Sequence, residues 1–249
     1  MRRGLDLSAA RESIDRLLLR LPPEQAEEVR RRLRRLRHPA RLGSLRRTSP
    51  LGRDFGYERG TPVDRWYIER FLRNHRAQIR GRVLEVKDSG YTERFGTAVS
   101  GKDVLDVDPG NRLATVVADL AAADTIPERS FDCFILTQTL QFIEDTRSAV
   151  AHAHRILKPE GALLVTVPVV SPIIDDETLT DYWRFTPSSC SVIFGRVFGA
   201  DAVRVRTHGN VLASIAFLAG MASEELTQAE LETHDSRFAL LVSVSAVKT

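Results

Sequence analysis

The sequence from residue 131 to 137, Phe131-Asp132-Cys133-Phe134-Ile135-Leu136-Thr137, is an apolar run of strand length, and a second such run is Ala162-Leu163-Leu164-Val165-Thr166-Val167-Pro168. Between them, Asp145-Thr146 starts a helical pattern with its apolar residues on one side: Ala149, Ala153, Ile156 and Leu157. The turn Lys158-Pro159-Glu160-Gly161 is predicted to end this helix and to start the second strand. This order of elements predicts a βαβ crossover inside a parallel sheet.

Further apolar runs on both sides of this unit extend the predicted sheet. The parallel candidates are Val83–Val86, Val104–Val107, Thr115–Ala118, Phe131–Leu136 and Leu163–Val167, followed by Val203–Arg206 and, as an antiparallel partner, Ala239–Ala246. Helical patterns lie between these strands, and one more helical segment is predicted within 209–235. Before the first strand, Thr61-Pro62 is predicted to start a helix with Thr61 as its N-cap. We therefore predict an α/β fold with a doubly wound, mostly parallel seven-stranded sheet.

An arginine-rich region precedes this fold. Residues 7–21 and the segment after Pro23 have helical periodicity, and Ala26, Val29, Leu33 and Leu36 form one apolar stripe. We expect an N-terminal helical extension over residues 1–45 and the α/β domain over 46–249. The extension is predicted to pack on the main domain or to join subunits of a homo-oligomer. Nucleic acid is a less favoured partner, because no base-stacking aromatic residues are interleaved with the arginines.

The overall composition excludes several classes of protein. The 249 residues carry a net charge of only +3, and the two cysteines cannot form a disulfide framework. The spacing of histidines and cysteines does not match a zinc site, so no metal is expected. The sequence has no 18-residue apolar run and no apolar core of a signal peptide near its start, which predicts a cytoplasmic protein without a membrane span.

Acidic residues stand at the ends of three consecutive predicted strands. Glu85, Asp106 and Asp119 occupy these positions, and Asp108 is an alternative to Asp106. Ligands of open parallel sheets bind at the carboxyl ends of the strands, where an acidic residue can accept hydrogen bonds from ribose hydroxyls. Each aspartate taken alone is better explained as a solvated loop residue or a helix cap. Their joint position predicts a nucleoside-binding cleft.

The βαβ unit resembles the later half of class I S-adenosylmethionine-dependent methyltransferases, of the type 11-like kind. The resemblance narrows to a bacterial subgroup that often accompanies glycosyltransferases, and it covers roughly residues 46–249. The motifs that carry it are Arg59-Gly60-Thr61-Pro62-Val63-Asp64-Arg65-Trp66-Tyr67-Ile68-Glu69, Tyr91-Thr92-Glu93-Arg94-Phe95-Gly96, Thr137-Gln138-Thr139-Leu140-Gln141, Asp181-Tyr182-Trp183-Arg184-Phe185-Thr186 and Gly209-Asn210-Val211-Leu212-Ala213.

The resemblance implies S-adenosylmethionine as the cofactor and assigns residues to it. Asp106 would bind the ribose, Asp119-Leu120 the adenine, and Thr137 and Gln138 would lie beneath the sulfonium; the first-strand loop contributes Glu85, Lys87 and Gly90. These methyltransferases normally have glycines at the positions of Lys87 and Ser89, so the glycine-rich loop is degenerate here. Lys87 could pair with the cofactor carboxylate or fill the pocket.

The same resemblance implies transfer of a methyl group to a hydroxyl of a sugar, a glycan precursor or a related natural product. The candidate catalytic residues are Asp181 as base or orienter, Tyr182 as a wall, Arg184 as a substrate clamp and His208 as a second base. Alternatively, the segment around Tyr182 packs as a lid, Arg184 pairs with an acid and His208 is structural. An inactive scaffold protein and a fold adapted to another reaction are the other hypotheses.

Overall fold

The computed structural model describes Leu18, Gly43 and residues 21–37, 46–174 and 179–249. The chain divides into two compact units, 1–48 and 49–249. The first unit contains helix α1 (Pro23–Arg37), in which Glu27 pairs with Arg30 and Arg31 at 3.9 and 3.5 Å. Ala26 is buried, whereas Leu36 is 70% exposed. The predicted helix over 7–21 lies, except for Leu18 and Leu21, outside the described residues.

The second unit alternates strands with helices. In chain order its elements are α2 (Val63–Asn74), β1 (Gly81–Val86), α3 (Gly90–Phe95), β2 (Val99–Asp106), β3 (Val116–Val117), β4 (Phe131–Thr137), α4 (Thr146–Ile156), β5 (Leu157–Pro168), α5 (Pro187–Phe198), β6 (Val203–His208), α6 (Val211–Leu218), α7 (Gln228–Glu232) and β7 (Leu241–Val247). Short 3-10 helices include Leu120–Ala122, Leu140–Phe142 and Ser223–Glu225. No helix among the described residues has the length and apolar character that crossing a membrane requires.

The seven strands form one sheet in the order β3-β2-β1-β4-β5-β7-β6. Strands β1 to β5 pair in parallel, and β7 runs antiparallel to both β5 and β6. The predicted seven-stranded, mostly parallel sheet is confirmed, including the antiparallel last strand. The order reverses between β1 and β4, because the chain leaves β1 towards β2 and β3 and returns to place β4 on the other side of β1.

Both faces of the sheet are covered, which explains why its central strands are continuously apolar. In β4, Phe134 and Leu136 belong to the cluster formed with α4 and α5, whereas Cys133 and Ile135 pack with α2 and α6. All four side chains are fully buried. The interpretation of Cys133 as a small buried thiol is thereby confirmed.

Two local predictions were wrong. Helix α2 begins at Val63 with Pro62 as its cap residue, because the Thr61 backbone N–H and Oγ1 instead donate to the Glu224 carboxylate at 3.0 and 2.7 Å. The predicted turn from Lys158 to Gly161 lies inside β5, which starts directly after α4. There the Glu160 N–H donates to the Lys248 carbonyl, and the pairing with β4 shifts register.

Candidate active site

A cleft of about 1060 Å³ opens where the strand order reverses, at the carboxyl ends of the parallel strands. This is the position at which open α/β sheets bind ligands, and the volume is that of a small-molecule site. The wall contributed by the sheet contains the ends of β1, β2 and β4 and the loop after β3. All eight residues predicted to bind the cofactor line it: Glu85, Lys87, Gly90, Asp106, Asp119, Leu120, Thr137 and Gln138.

Glu85 lines the cleft, and its carboxylate is hydrogen-bonded to the N-terminal residues of helix α3. Its carboxylate accepts hydrogen bonds from the Tyr91 N–H (3.0 Å), the Thr92 N–H (2.8 Å) and Thr92 Oγ1 (2.7 Å). Burial raises the pKa of Glu85, and the hydrogen bonds from Thr92 and Tyr91 oppose that effect. The acid therefore fixes the N-terminus of α3 beside the cleft, a position in which the helix dipole favours its negative charge.

Lys87 has the backbone conformation of a glycine. Its φ of +74° lies in the left-handed region, where a side chain is strained and glycine is not. The Lys87 N–H donates to the Leu105 carbonyl at 3.0 Å, so the loop is tied to β2. The exposed Lys87 side chain thus stands on a loop whose backbone has the geometry that a glycine would adopt.

Asp106 is the acid of β2 that lines the cleft, and Asp108 does not line it. The buried Asp106 carboxylate accepts from the Asp108 N–H at 3.0 Å and from Asn111 Nδ2 at 2.7 Å. Asp108 instead accepts from the Gly110 N–H within its own loop. Between the two alternatives, the structure places Asp106 in the cleft. Asn111 had no role in the sequence prediction, because a loop asparagine carries no signal of its bridging contacts.

The loops after β3 and β4 complete this wall. Asp119 caps the 3-10 helix that follows β3, its Oδ1 accepting from the Ala121 N–H at 2.9 Å. Gln138 has a φ of +47°, and its N–H donates to the Thr166 carbonyl of β5. Asp106, Asp119 and Gln138 are therefore brought to one cleft by three different strand ends, as the sequence predicts.

The cleft lining also contains residues that the site prediction missed. Asp64 and Arg65 of α2 line the cleft together with Tyr57 and Tyr91. Arg65 donates from Nε to the Tyr57 hydroxyl (3.0 Å) and from Nη1 to the Tyr91 hydroxyl (3.3 Å). Asp64 is 8% exposed, and burial raises its pKa while the charge of Arg65 opposes that effect. Asp64 and Arg65 lie inside one of the quoted motifs, but a first-turn acid is ordinarily explained by the helix dipole alone.

Asp181 and Arg184 pair with each other and do not line the cleft. Two hydrogen bonds of 2.5 and 2.9 Å join the guanidinium to the carboxylate, which also accepts from the Ile174 N–H. Arg184 further donates to the Pro172 and Trp183 carbonyls. This arrangement corresponds to the alternative in which Arg184 pairs with an acid. The pair positions the segment around Tyr182 by joining it to Pro172 and Ile174. Tyr182 does line the cleft, and its N–H donates to the Gln141 carbonyl at 2.8 Å.

His208 lies outside the cleft lining, at the end of edge strand β6. Its Nε2 hydrogen-bonds Ser243 Oγ at 2.7 Å, and its ring packs near Tyr67 and Phe71. Burial lowers the pKa of His208 to about 4, so the ring is neutral at pH 7. The structure places His208 among core contacts, which corresponds to the structural alternative. Within the described part of the chain, no three acidic, histidine or cysteine residues form a group that could hold a metal ion.

Comparison with known proteins identifies the central segment. Residues 90–165, from α3 into β5, match the family model described as a methyltransferase domain. The match supports a methyltransferase domain and covers less than a third of the chain. No curated protein matches the chain at a significant level.

Solved structures of methyltransferases share the fold. Haemonchus contortus phosphoethanolamine N-methyltransferase 2, in complex with S-adenosyl-L-methionine, is 16% identical, with a TM-score of 0.51 over 80% of this chain and 53% of that one. A SAM-dependent methyltransferase from Archaeoglobus fulgidus is 13% identical, with a TM-score of 0.49 over 74% of this chain and 94% of that one. At these identities, similarity to the first structure establishes the methyltransferase fold and leaves the acceptor open.

Proposed function

We propose that this methyltransferase-domain protein transfers a methyl group from S-adenosylmethionine to a hydroxyl of a sugar, a glycan precursor or a related natural product. The observation that carries the proposal is the meeting of Asp106 and Asp119 in one cleft at the reversal of strand order. The resemblance to the bacterial subgroup associated with glycosyltransferases supports the acceptor class. The cytoplasmic location and the N-terminal homo-oligomer contact belong to the same proposal and stay predictions.

The residues in the cleft fit this cofactor. Each Asp106 oxygen accepts one hydrogen bond from the protein, and a carboxylate can accept about four in all, so acceptor capacity remains for ribose hydroxyls. Asp119 is available for the adenine amino group in the same way. The Lys87 ammonium supplies the positive charge for the amino-acid carboxylate, in place of the backbone donors of a glycine-rich loop.

The bound cofactor would supply a methyl group on a positively charged sulfur, which is an electrophile without further activation. The protein then has to hold the acceptor oxygen in line with that methyl group, and such positioning contributes much of the acceleration in displacement reactions. Gln138, which follows β4, and Tyr182, which comes after β5, both line the cleft, and we assign them to the walls around the reacting groups.

Calorimetric titration with S-adenosylmethionine and with S-adenosylhomocysteine tests the cofactor. We expect dissociation constants between about 1 µM and 1 mM, the range of ordinary enzyme substrates. Replacing Asp106 or Asp119 by alanine is expected to weaken binding at least roughly tenfold, because each loses a hydrogen bond to a charged acceptor. Asp108→Ala is the matched control and should bind as the wild type does, since Asp108 does not line the cleft.

Absence of both heat and thermal shift at millimolar cofactor would refute the proposal. If the Lys87→Gly variant alone then bound the cofactor, the inactive-scaffold hypothesis would be favoured, because the lysine would be what closes the site.

A further inference from the structure

Two buried polar atoms in the cleft have no hydrogen-bond partner. Among the described residues, four buried side-chain oxygens lack one: Asp64 Oδ1, Gln78 Oε1, Gln141 Oε1 and Thr166 Oγ1. Only Asp64 and Gln141 of these line the cleft. An unsatisfied buried acceptor costs about 1–3 kcal/mol, so each such atom requires an explanation, and in a cleft a bound ligand or a water can supply the missing partner.

The other acids in the cleft lining are exposed or already engaged. Glu69 pairs with Arg94, Glu85 holds α3, Asp88 accepts from the Gly90 N–H, and Asp145 caps α4. Glu144 is exposed. Asp64 is thus the buried carboxylate of the described cleft lining that keeps an oxygen without a partner.

Asp64 and the two proposed nucleoside-binding acids, Asp106 and Asp119, stand on opposite sides of β1. Helix α2, which carries Asp64, packs against α3, α6 and β7. Asp106 ends β2 and Asp119 follows β3, on the other side of β1 from β7. Asp64 is therefore separated from the proposed nucleoside-binding acids, and we assign it to the acceptor part of the cleft.

Gln141 holds its free oxygen in a fixed position. Its Nε2 donates to the Gln138 carbonyl at 2.9 Å, and its own backbone carbonyl accepts from the Tyr182 N–H. Gln141 is 5% exposed and lies in the short 3-10 helix Leu140–Phe142 that follows β4. Its Oε1 is consequently a preorganised acceptor in the cleft that a hydrogen-bond donor on a ligand can satisfy.

We propose that Asp64 is the general base of the transfer and that the acceptor is a polyol, such as a sugar ring, with one hydroxyl bound to Asp64 Oδ1 and a second bound to Gln141 Oε1. This inference rests on the proposed methyltransferase function. The acceptor oxygen bonds to the methyl carbon as the carbon–sulfur bond breaks and its electron pair passes to sulfur. The hydroxyl proton passes to Asp64, and S-adenosylhomocysteine and the methyl ether leave.

Burial and the neighbouring charge of Arg65 give the Asp64 carboxylate properties that a general base requires. Burial raises its pKa, which makes the carboxylate a stronger base than an exposed aspartate, and Arg65 opposes the shift and keeps the ionised form accessible. The other titratable groups beside this pair are the hydroxyls of Tyr57 and Tyr91, both bound to Arg65. The pKa of Tyr91 is raised by burial, so it is neutral at working pH.

The first test is the pH dependence of stability of the protein without cofactor. A raised pKa in the folded state favours protonated Asp64, so its contribution is present at low pH and lost as pH rises through the folded pKa. Asp64→Asn should therefore raise the melting temperature by a few degrees at pH 7 and change it little at pH 4. A lower melting temperature of Asp64→Asn at pH 7 would show that the Asp64 carboxylate forms a stabilising ion pair. That result would overturn the assignment of an Asp64 oxygen that is free to bind the acceptor.

The second test measures methyl transfer to free and nucleotide-linked hexoses from tritiated S-adenosylmethionine. We expect a hexose to be methylated, with kcat falling at least about 100-fold in Asp64→Asn while calorimetric cofactor affinity stays within about twofold. Gln141→Leu should raise KM for the hexose about tenfold. Gln141→Glu, which keeps an Oε1 acceptor, should raise this KM by a smaller factor. Glu144→Gln is the control for a cleft acid and should leave transfer unchanged.

The outcomes separate the two proposals. Failure of the wild type to bind cofactor would refute the methyltransferase function itself. Cofactor binding without methylation of any hexose would overturn the polyol assignment. Transfer at the wild-type rate by Asp64→Asn would overturn the role of Asp64 as base.

Discussion

Asn111 donates a hydrogen bond from its side-chain nitrogen to the Asp106 carboxylate at 2.7 Å, and the same nitrogen donates to the Lys87 carbonyl at 2.8 Å. One amide therefore joins the acid at the end of β2 to the altered loop after β1. The Asn111 Oδ1 accepts in turn from the Leu113 N–H at 2.9 Å, which fixes the orientation of the amide. The proposed ribose acid and the proposed carboxylate-binding lysine are thus held by a residue that need not touch the cofactor.

Replacing Asn111 by alanine is expected to lower cofactor affinity roughly tenfold and stability by about 1 kcal/mol. The physical reason is that three hydrogen bonds are lost, one of them to the charged Asp106, and that Asp106 and the Lys87 loop become free to move. Calorimetry and urea denaturation measure the two effects. Arg112→Ala, an exposed neighbour in the same loop, is the control, and equal affinity of Asn111→Ala and Arg112→Ala would contradict the positioning role.

Replacing Lys87 by glycine is expected to stabilise the protein by about 1 kcal/mol. Its φ of +74° is strained for a residue with a Cβ atom and unstrained for glycine. The Lys87→Ala variant is the matched control, because alanine keeps the Cβ strain and removes the ammonium. In urea denaturation only the glycine variant should gain stability, and a similar gain in both variants would assign the effect to charge.

The sequence predicts those features of the structure that depend on residues close together in the chain, and it predicts fewer of those that depend on contacts between distant residues. The sheet follows from local apolar runs such as Phe131–Thr137, and the meeting of Asp106 and Asp119 follows because parallel strand ends share one edge. Sequence spacing did not decide whether Asp181 and Arg184, three residues apart, would act on a substrate or pair outside the cleft lining, as they do. It also did not distinguish Asp64 from an ordinary first-turn acid, since that depends on burial by residues distant in the chain.

Replacing Asp181 by asparagine is expected to destabilise the protein by about 2 kcal/mol at pH 7. The Asp181 side chain is 3% exposed, and the substitution removes its charged hydrogen bonds to Arg184, which is 27% exposed and keeps its two backbone carbonyl partners. Thermal denaturation at pH 7 measures the loss. A variant as stable as the wild type would show that the pair does not anchor the segment.

The same pair predicts a dependence of stability on acid. Arg184 holds the pKa of Asp181 below its ordinary value of 3.8, so the stabilisation is complete above about pH 4 and is lost as pH falls through the folded pKa. Melting temperatures of wild type and Asp181→Asn should therefore converge below pH 4. If the two melting temperatures were already equal between pH 4 and pH 7, a group other than Asp181 would be responsible for the pH dependence of stability.

Replacing His208 by glutamine is expected to flatten the pH dependence of stability between pH 4 and pH 6.5 while leaving methyl transfer intact. Burial lowers the folded pKa from 6.5 to about 4, so the neutral ring stabilises the protein above pH 6.5 and this contribution is lost as pH falls towards 4. The effect is on the order of 3 kcal/mol. Glutamine stays neutral throughout and can still hydrogen-bond Ser243. The free energy of unfolding, measured in urea, should therefore differ less between pH 7 and pH 5 in His208→Gln than in the wild type.

Asp181→Asn serves as the control, because the pH dependence of stability that it removes lies below pH 4. Loss of methyl transfer in a folded His208→Gln variant would instead return His208 to the catalytic residues.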